Sequence, residues 1–377
     1  MVISVSIEEF KCFKDLRVDL HHLTLFTGYN GAGKSTVIQT LLLLSQSLRV
    51  APSGSAIDLD GPLVHLGNAV DVARFGGQPT VSLYVKQGQI SGLWRLVAER
   101  RARYLRIEQS VFTDEKSVEM TSTRVAAPDG HAAEGLCDSI RNLTFLGASR
   151  LFSTNAWPSP PLTIPYGDVG KSGEFAPFWH FQTADDEVAS GRRHPDEQRT
   201  TVRGQVDAYL GQLFPGAEAN TDQLPGVDLF RLELRLGKSN WIRPGNIGFG
   251  LTYVFPLIVA LVTAQDGQLV IVDSPEAHLH PRAQSELGKI VARFAAAGVR
   301  VIVETHSDHF LNGVRLAIQQ QIISHKQTAI YFFGGSSEDN HGVRRLNVDP
   351  AGEIDSWPQG FFDQAESDLS QLLGLGK

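Results

Sequence analysis

Two cysteines, Cys12 and Cys137, are all that this chain of 377 residues contains, so no disulfide framework holds it together. Such sparing use suits a reducing cytosol, and a cytoplasmic location is expected. Long apolar runs are also missing. The longest, Leu251–Ala264, is interrupted by Pro256 and is too short to span a bilayer. There is no excess of basic residues either. The net charge is −7, so nothing global advertises nucleic acid, although a local basic patch is compatible with it. The opening MVISVSIEEFKCF alternates like a strand and carries Glu8 and Glu9, which excludes a signal peptide. No repeat and no sustained heptad occurs, so no long coiled-coil arm is expected.

What is present is a 42% apolar composition, enough to bury the core of one large domain or two lobes. Within it lies LTLFTGYNGAGKSTVIQTLLLL, residues 23–44. Gly28, Gly33, Lys34 and Ser35 have the spacing of a phosphate-binding loop, after a buried strand and before an apolar-faced helix. Glycines let the backbone wrap phosphates, and amides from Asn30, Gly31, Ala32, Gly33 and Thr36 point inward at a helix N-terminus. Lys34 supplies a point charge for the β- and γ-phosphates of ATP, and the Ser35 hydroxyl is placed for Mg²⁺.

Acids follow a second buried strand in LVIVDSPEAHLHP. Asp273 stands where a carboxylate would hold Mg²⁺, directly or through water. Glu276 stands where one would orient or deprotonate the attacking water. The plainer alternative is a solvated acidic turn. In VIVETHSDH, His306 falls just past a third strand, on the edge where ligands gather in an open α/β sheet. It is read as a partner of the γ-phosphate or water; a capping role and a metal cluster with His278, His280 and His309 are the alternatives. In NIGFGLTYVFP, Gly248, Phe249, Gly250 and Thr252 open an apolar helix and form a second anion site, fit for the γ-phosphate of a partner subunit. The alternative is glycine for close packing. Arg95, Arg100, Arg101, Arg103 and Arg106 lie on a segment read as strand. Arg101 and Arg103 would share one face, Arg100 and Arg106 the other. That gives either a solvated face or a phosphate-contacting surface.

Strands are also expected over VISVSI, LRVDL and LTLFT with a turn near Lys14–Asp15, and as a meander over 81–125. A loop is expected over 51–80, a helix over 196–214, and α/β alternation from Asn246 onward.

Together these segments resemble the ABC-type ATPase heads of the RecF/SMC/OLD group, often labelled AAA family ATPases. The likeness runs through FKCFKDLRVDLHHLTLFTGYNGAGKST, NIGFGLTYVFP, DSPEAHLHP and ETHSDHFLNGVRLAI, and covers roughly residues 1–75 and 240–370. The tail, IYFFGG through WPQGFFDQAESDL, resembles a C-terminal domain of unknown function found on prokaryotic ATPases, many from antiphage-defence operons. The resemblance implies an α/β fold: a P-loop NTPase sheet, an N-terminal antiparallel β lobe and a helical signature lobe. It divides the chain into a Walker A lobe (1–150), a variable insertion (151–240) and a lobe with signature, Walker B, switch histidine and tail (241–377).

By the same resemblance Lys34 and Ser35 map to Walker A and Asp273 to Walker B. Gly248 and Gly250 map to the signature, and His306 to the switch histidine. Ser274 departs from relatives that carry an acid there, which shifts the catalytic role to Glu276 or slows hydrolysis. Gln78 is the candidate for the glutamine loop. With the chain ending near the ATPase tail, no appended nuclease is expected. Asp363, Glu366 and Asp368 read as a solvated helix face. The implied protein is an ATP-hydrolysing homodimer or higher oligomer. It would regulate a separate effector from a neighbouring gene, a nuclease or another nucleic-acid enzyme, with DNA or RNA contact and no membrane. The alternatives are a RecF-like repair ATPase loading on DNA and a nucleotide-binding scaffold with little turnover.

Overall fold

The structure, a computed structural model, describes residues 2–150, 154–334, 342–358 and 371–372. Asp363, Glu366 and Asp368 lie outside them.

The chain opens with β1 (Ile3–Phe10) and β2 (Phe13–Leu20), an antiparallel pair in which Phe10 faces Phe13. The turn is therefore Lys11–Cys12, and Lys14 and Asp15 lie inside β2. The polar Lys-Asp pair imitates a turn in sequence. Burial of Phe10 and Phe13, with Glu9 and Lys11 at φ 53° and 52°, places the reversal earlier. Next come β3 (Leu23–Gly28) and α1 (Lys34–Val50), followed by β4 (Ala56–Asp58) and α2 (Ala69–Val72). The last two occupy a stretch expected to be loop. They are short and carry little periodicity.

The meander is present as β5 (Thr80–Gln87), β6 (Ile90–Val97), β7 (Tyr104–Thr113) and β8 (Glu119–Ser122). With β1, β2 and β4 it makes a seven-stranded antiparallel sheet ordered β2-β1-β5-β6-β7-β4, with β8 on β7. Arg100, Arg101 and Arg103 sit in the β6–β7 turn, with Arg101 at φ 64°, so the two arginine faces inferred for a strand do not exist.

Then follow α3 (Glu134–Arg141), β9 (Thr144–Leu146), β10 (Trp157–Pro158), α4 (Ala176–Gln182), α5 (Val202–Leu213), β11 (Ala217–Gln223) and β12 (Leu229–Leu236). Strands β10, β12 and β11 form a small sheet of their own.

The last third alternates α6 (Phe249–Thr263), β13 (Leu269–Asp273), α7 (Pro281–Ala296), β14 (Arg300–Glu304), α8 (Asp308–Gln319), β15 (Thr328–Phe333) and β16 (Val343–Leu346). Ser307 caps α8, its hydroxyl accepting from the Phe310 amide at 2.9 Å. The six-stranded sheet runs β16-β15-β3-β14-β13-β9, parallel except for β16. It is buried on both faces, as its continuous apolar strands require. Val270, Val272, Val301 and Val303 join one core with α6 and α7, while Leu269, Ile271 and Ile302 join the other with α1 and the antiparallel sheet. The result for function is positional. Strand β14 lies between β3 and β13, so three strand ends converge at one edge.

Candidate functional site

The loop between β3 and α1 is wedged between two elements that only glycine can meet. A Cβ on Gly28, at φ 124°, would stand 1.9 Å from the Phe333 carbonyl oxygen. One on Gly33, at φ 98°, would stand 2.4 Å from the Phe13 ring. The Tyr29 amide donates to Phe333 O at 2.8 Å and pins the loop to β15. Lys34 is only 4% exposed, and its Nζ donates to the carbonyls of Gly28 (3.1 Å) and Tyr29 (2.8 Å). Burial lowers its pKa, against the pull of Glu304 and Asp273.

The exposed Ser35 donates its hydroxyl to both carboxylate oxygens of Glu304, at 2.9 and 3.1 Å. Glu304 ends β14, directly in register with Asp273 at the end of β13 and with Phe26 of β3. Burial first, then repulsion by Asp273, pushes its pKa up to about 7; Ser35 and Lys34 oppose the shift. Sequence reasoning passed over Glu304. The signal was available: VIVE ends in an acid one strand away, as LVIVD does.

After Asp273 the chain turns tightly through Ser274 (φ 49°), whose amide donates to Glu304 O at 2.8 Å and whose hydroxyl donates to Asp273 Oδ1 at 2.8 Å. Ser274 is thus engaged with the neighbouring acid. Glu276 reaches across to the loop after β14, where its Oε1 accepts from the His306 amide at 2.8 Å. Its Oε2 is buried without a partner. Burial raises the Glu276 pKa. His306 is exposed at the same edge, its pKa lowered by burial and then by Lys34.

A second residue missed in sequence is Arg150, which follows β9. It is buried and donates to the carbonyls of Gly147 (3.0 Å), Tyr253 (3.2 Å) and Asp273 (3.0 Å). Burial pulls its pKa down to about 10. A cleft of about 350 Å³ opens between α1, the loop after β9 and the acids, lined among others by Ser35, Gln39, Lys171, Asp273 and Glu304. Its glutamine is Gln39. Gln78 is exposed ahead of β5 and does not line the cleft.

The helix opening at Gly248 is divided. Gly248 and Phe249 are exposed, Phe249 to 66%. Gly250 packs against its own chain, where a Cβ would stand 2.8 Å from the His278 carbonyl. The buried Thr252 hydroxyl donates to Phe249 O at 2.8 Å. Only the first two face outward. His280 Nδ1 accepts from the Arg282 amide as a cap, and His278 lies edge-on to Tyr253 with ring centroids 5.4 Å apart. No group of three His, Cys, Asp or Glu side chains able to hold a metal occurs among the described residues, so the structure does not gather these histidines into one. Of the arginines, Arg103 is paired with Asp60, Arg106 with Glu99 at 2.7 Å, and Arg95 donates to Gln109 at 2.5 Å.

The donor set fits a nucleotide and its cation. Hard oxygens from Ser35, Asp273 and Glu304 converge beside a buried lysine and a helix N-terminus.

Three family models match. An "AAA ATPase domain" covers residues 1–115, with the phosphate loop. An "AAA domain, putative AbiEii toxin, Type IV TA system" covers 177–312, from α4 into α8. A "Protein of unknown function (DUF3696)" covers 323–372. No curated protein matches. Among solved structures, the chain is similar to an Smc head bound to the C-winged helix domain of ScpA, at 12% identity over 93% of this chain and 98% of that one (TM-score 0.50). It is also similar to the SMC head domain from Thermotoga maritima, at 11% identity over 92% and 99% (TM-score 0.45).

Proposed function

We propose that this chain, a RecF/SMC/OLD-like ATPase with the ABC-type fold of SMC heads, binds and hydrolyses ATP between two copies of itself. In this reading it thereby switches a separate nucleic-acid-directed effector of antiphage defence. The observation that carries the nucleotide reading is the convergence of Lys34 and Ser35 with Asp273, Glu276 and Glu304 on one sheet edge. In this reading the amides of residues 30–36 bind the phosphates. Lys34 exchanges its bonds to Gly28 and Tyr29 for phosphate oxygens. Ser35 and Asp273 hold Mg²⁺, which when bound offsets phosphate charge. The unpartnered Oε2 of Glu276 takes the proton of the attacking water, and His306 contacts the terminal phosphate.

Exposed Gly248 and Phe249 support a shared site, since they leave the N-terminus of α6 open to a phosphate carried by a second copy. A second reading, a nucleotide-binding scaffold with slow turnover, is favoured by Ser274. Its hydroxyl is spent on Asp273, and no acid stands at that position.

Titration with a fluorescent ATP analogue tests the core of the reading. Lys34→Ala is expected to abolish binding, and unchanged affinity would remove the phosphate-loop assignment. Turnover with and without DNA separates the switch from the scaffold. Co-purification with the products of adjacent genes identifies the effector.

A further inference from the structure

We propose that Glu304 is a direct ligand of the nucleotide-bound cation, completing a set with Ser35 and Asp273. This rests on the nucleotide reading above and adds a residue to it.

Three observations carry it. The first is spacing. Both Glu304 oxygens lie 2.9–3.1 Å from Ser35 Oγ. Neighbouring ligands of an ion bonded at 2.0–2.1 Å are separated by about 2.9 Å. The hydroxyl and the carboxylate already hold the separation of two adjacent corners of a Mg²⁺ octahedron. A cation would need only to sit between them, with the Ser35 hydroxyl keeping its proton, turning it away from Glu304 and offering a lone pair instead.

The second is placement. Glu304 ends a strand that lies between the phosphate-loop strand and the Asp273 strand, in parallel register with both. The two acids therefore leave the sheet at the same height on adjacent strands. Backbone ladders anchor the two acids, and the first turn of α1 anchors Ser35.

The third is division of labour. Glu276 turns toward the His306 amide, while Glu304 turns toward the loop hydroxyl. One carboxylate therefore serves the water side and the other the cation side. Glu304 is also only 6% exposed, and a buried carboxylate with Asp273 beside it calls for a compensating cation once the triphosphate brings further negative charge. The cleft has no other side-chain oxygen as close to Ser35 among its described hydrogen bonds.

The test uses Mn²⁺ as a spectroscopic probe. The free ion is followed by electron paramagnetic resonance during titration of the full chain with a non-hydrolysable ATP analogue. Glu304→Gln and Glu304→Ala are compared with wild type, and melting curves confirm folding. Ligation predicts at least about a tenfold loss of Mn²⁺ affinity for Glu304→Gln and a larger loss for Glu304→Ala, with analogue binding in EDTA kept in both. The glutamine variant separates ligation from mere positioning, because its amide oxygen still accepts from Ser35. Wild-type Mn²⁺ affinity in Glu304→Gln overturns the proposal while leaving the nucleotide reading intact. Failure of the wild-type chain to bind the analogue, with or without Mn²⁺, overturns both.

Discussion

Arg150 lies over the ring of Tyr253, its guanidinium carbon 4.0 Å from the ring centroid, and donates to the carbonyls of both Tyr253 and Asp273. The Tyr253 hydroxyl in turn donates to the carbonyls of Ala148 (2.9 Å) and Ser274 (3.0 Å). Helix α6, the loop after β9 and the acidic turn are thus tied by one stacked pair. Replacing Arg150 by Met leaves three carbonyls without their donor. A loss of about 3 kcal/mol is expected, since each buried unpaired group costs about 1–3 kcal/mol and relaxation recovers part. Denaturant unfolding checks this, and an unchanged midpoint would show that the knot contributes nothing.

The two carboxylates of the acidic turn and its neighbour strand should separate by effect. Glu276→Gln keeps the bond to the His306 amide but removes the proton acceptor. Nucleotide binding is expected to persist while turnover falls at least about 100-fold, the range for losing general-base help. Normal turnover in single-turnover assays would remove Glu276 from the chemistry.

Gly248 and Gly250 offer a cleaner probe of a shared site than either alone. Gly250→Arg collides with the His278 carbonyl of its own chain and is expected to misfold or melt early. A Cβ on Gly248 meets no heavy atom within 4 Å, and its φ of −56° is open to any residue, so Gly248→Arg is accommodated at its base. It should melt like wild type and bind the ATP analogue normally, yet hydrolyse ATP at least about tenfold more slowly, because in the proposed shared site the arginine would block the approach of a second copy. Full turnover by Gly248→Arg contradicts the shared site.

His180 is buried, with Nδ1 2.8 Å from the Thr221 hydroxyl and its ring edge-on to Phe255. Burial, and then Arg203, pulls its pKa down to about 3. A base whose folded pKa is depressed contributes nothing against folding above its unfolded value. It destabilises as pH falls from about 6.5 toward 3, where only the unfolded chain binds the proton. Between pH 7.5 and 5 the expected loss is about 2 kcal/mol. Urea midpoints at both pH values measure it, and His180→Asn should lack that part of the slope. An identical slope in the variant would show that His180 titrates normally.

The fold and the phosphate loop were legible because their signals are local. Gly28 through Ser35 have fixed spacing, and β13, β14 and β15 are unbroken apolar runs between polar turns. Asp273, Glu276 and His306 were found as strand-end polar groups. Glu304 escaped because its role depends on which strand lies beside β3, and order within a sheet is not written in any one strand. Arg150 escaped for a related reason. Strand β9 has only three residues, too few for a period, and two of the three carbonyls that Arg150 serves, those of Tyr253 and Asp273, come from segments more than a hundred residues away. The β1–β2 turn lies three residues before Lys14–Asp15, because these two adjacent exposed residues of β2 carry turn-like side chains. The arginine faces failed because Arg100, Arg101 and Arg103 fall in the connection between β6 and β7, where strand alternation does not apply. Gly250 showed the opposite limit: a glycine read as a ligand contact is filled by the chain's own backbone.

Among the described residues, strand β3 pairs with β14 and β15, residues 300–304 and 328–333. During synthesis the phosphate loop therefore emerges early and waits for nearly the whole chain before both edges of its strand are covered. Such distant pairings are slow to form, and an open strand edge invites pairing with the wrong partner. A ribosome stalled before residue 328 would hold a complete Walker A sequence with no Phe333 carbonyl to anchor Tyr29. In the proposed reading, phosphate binding therefore depends on synthesis through β15, because the carbonyl that anchors Tyr29 belongs to that strand.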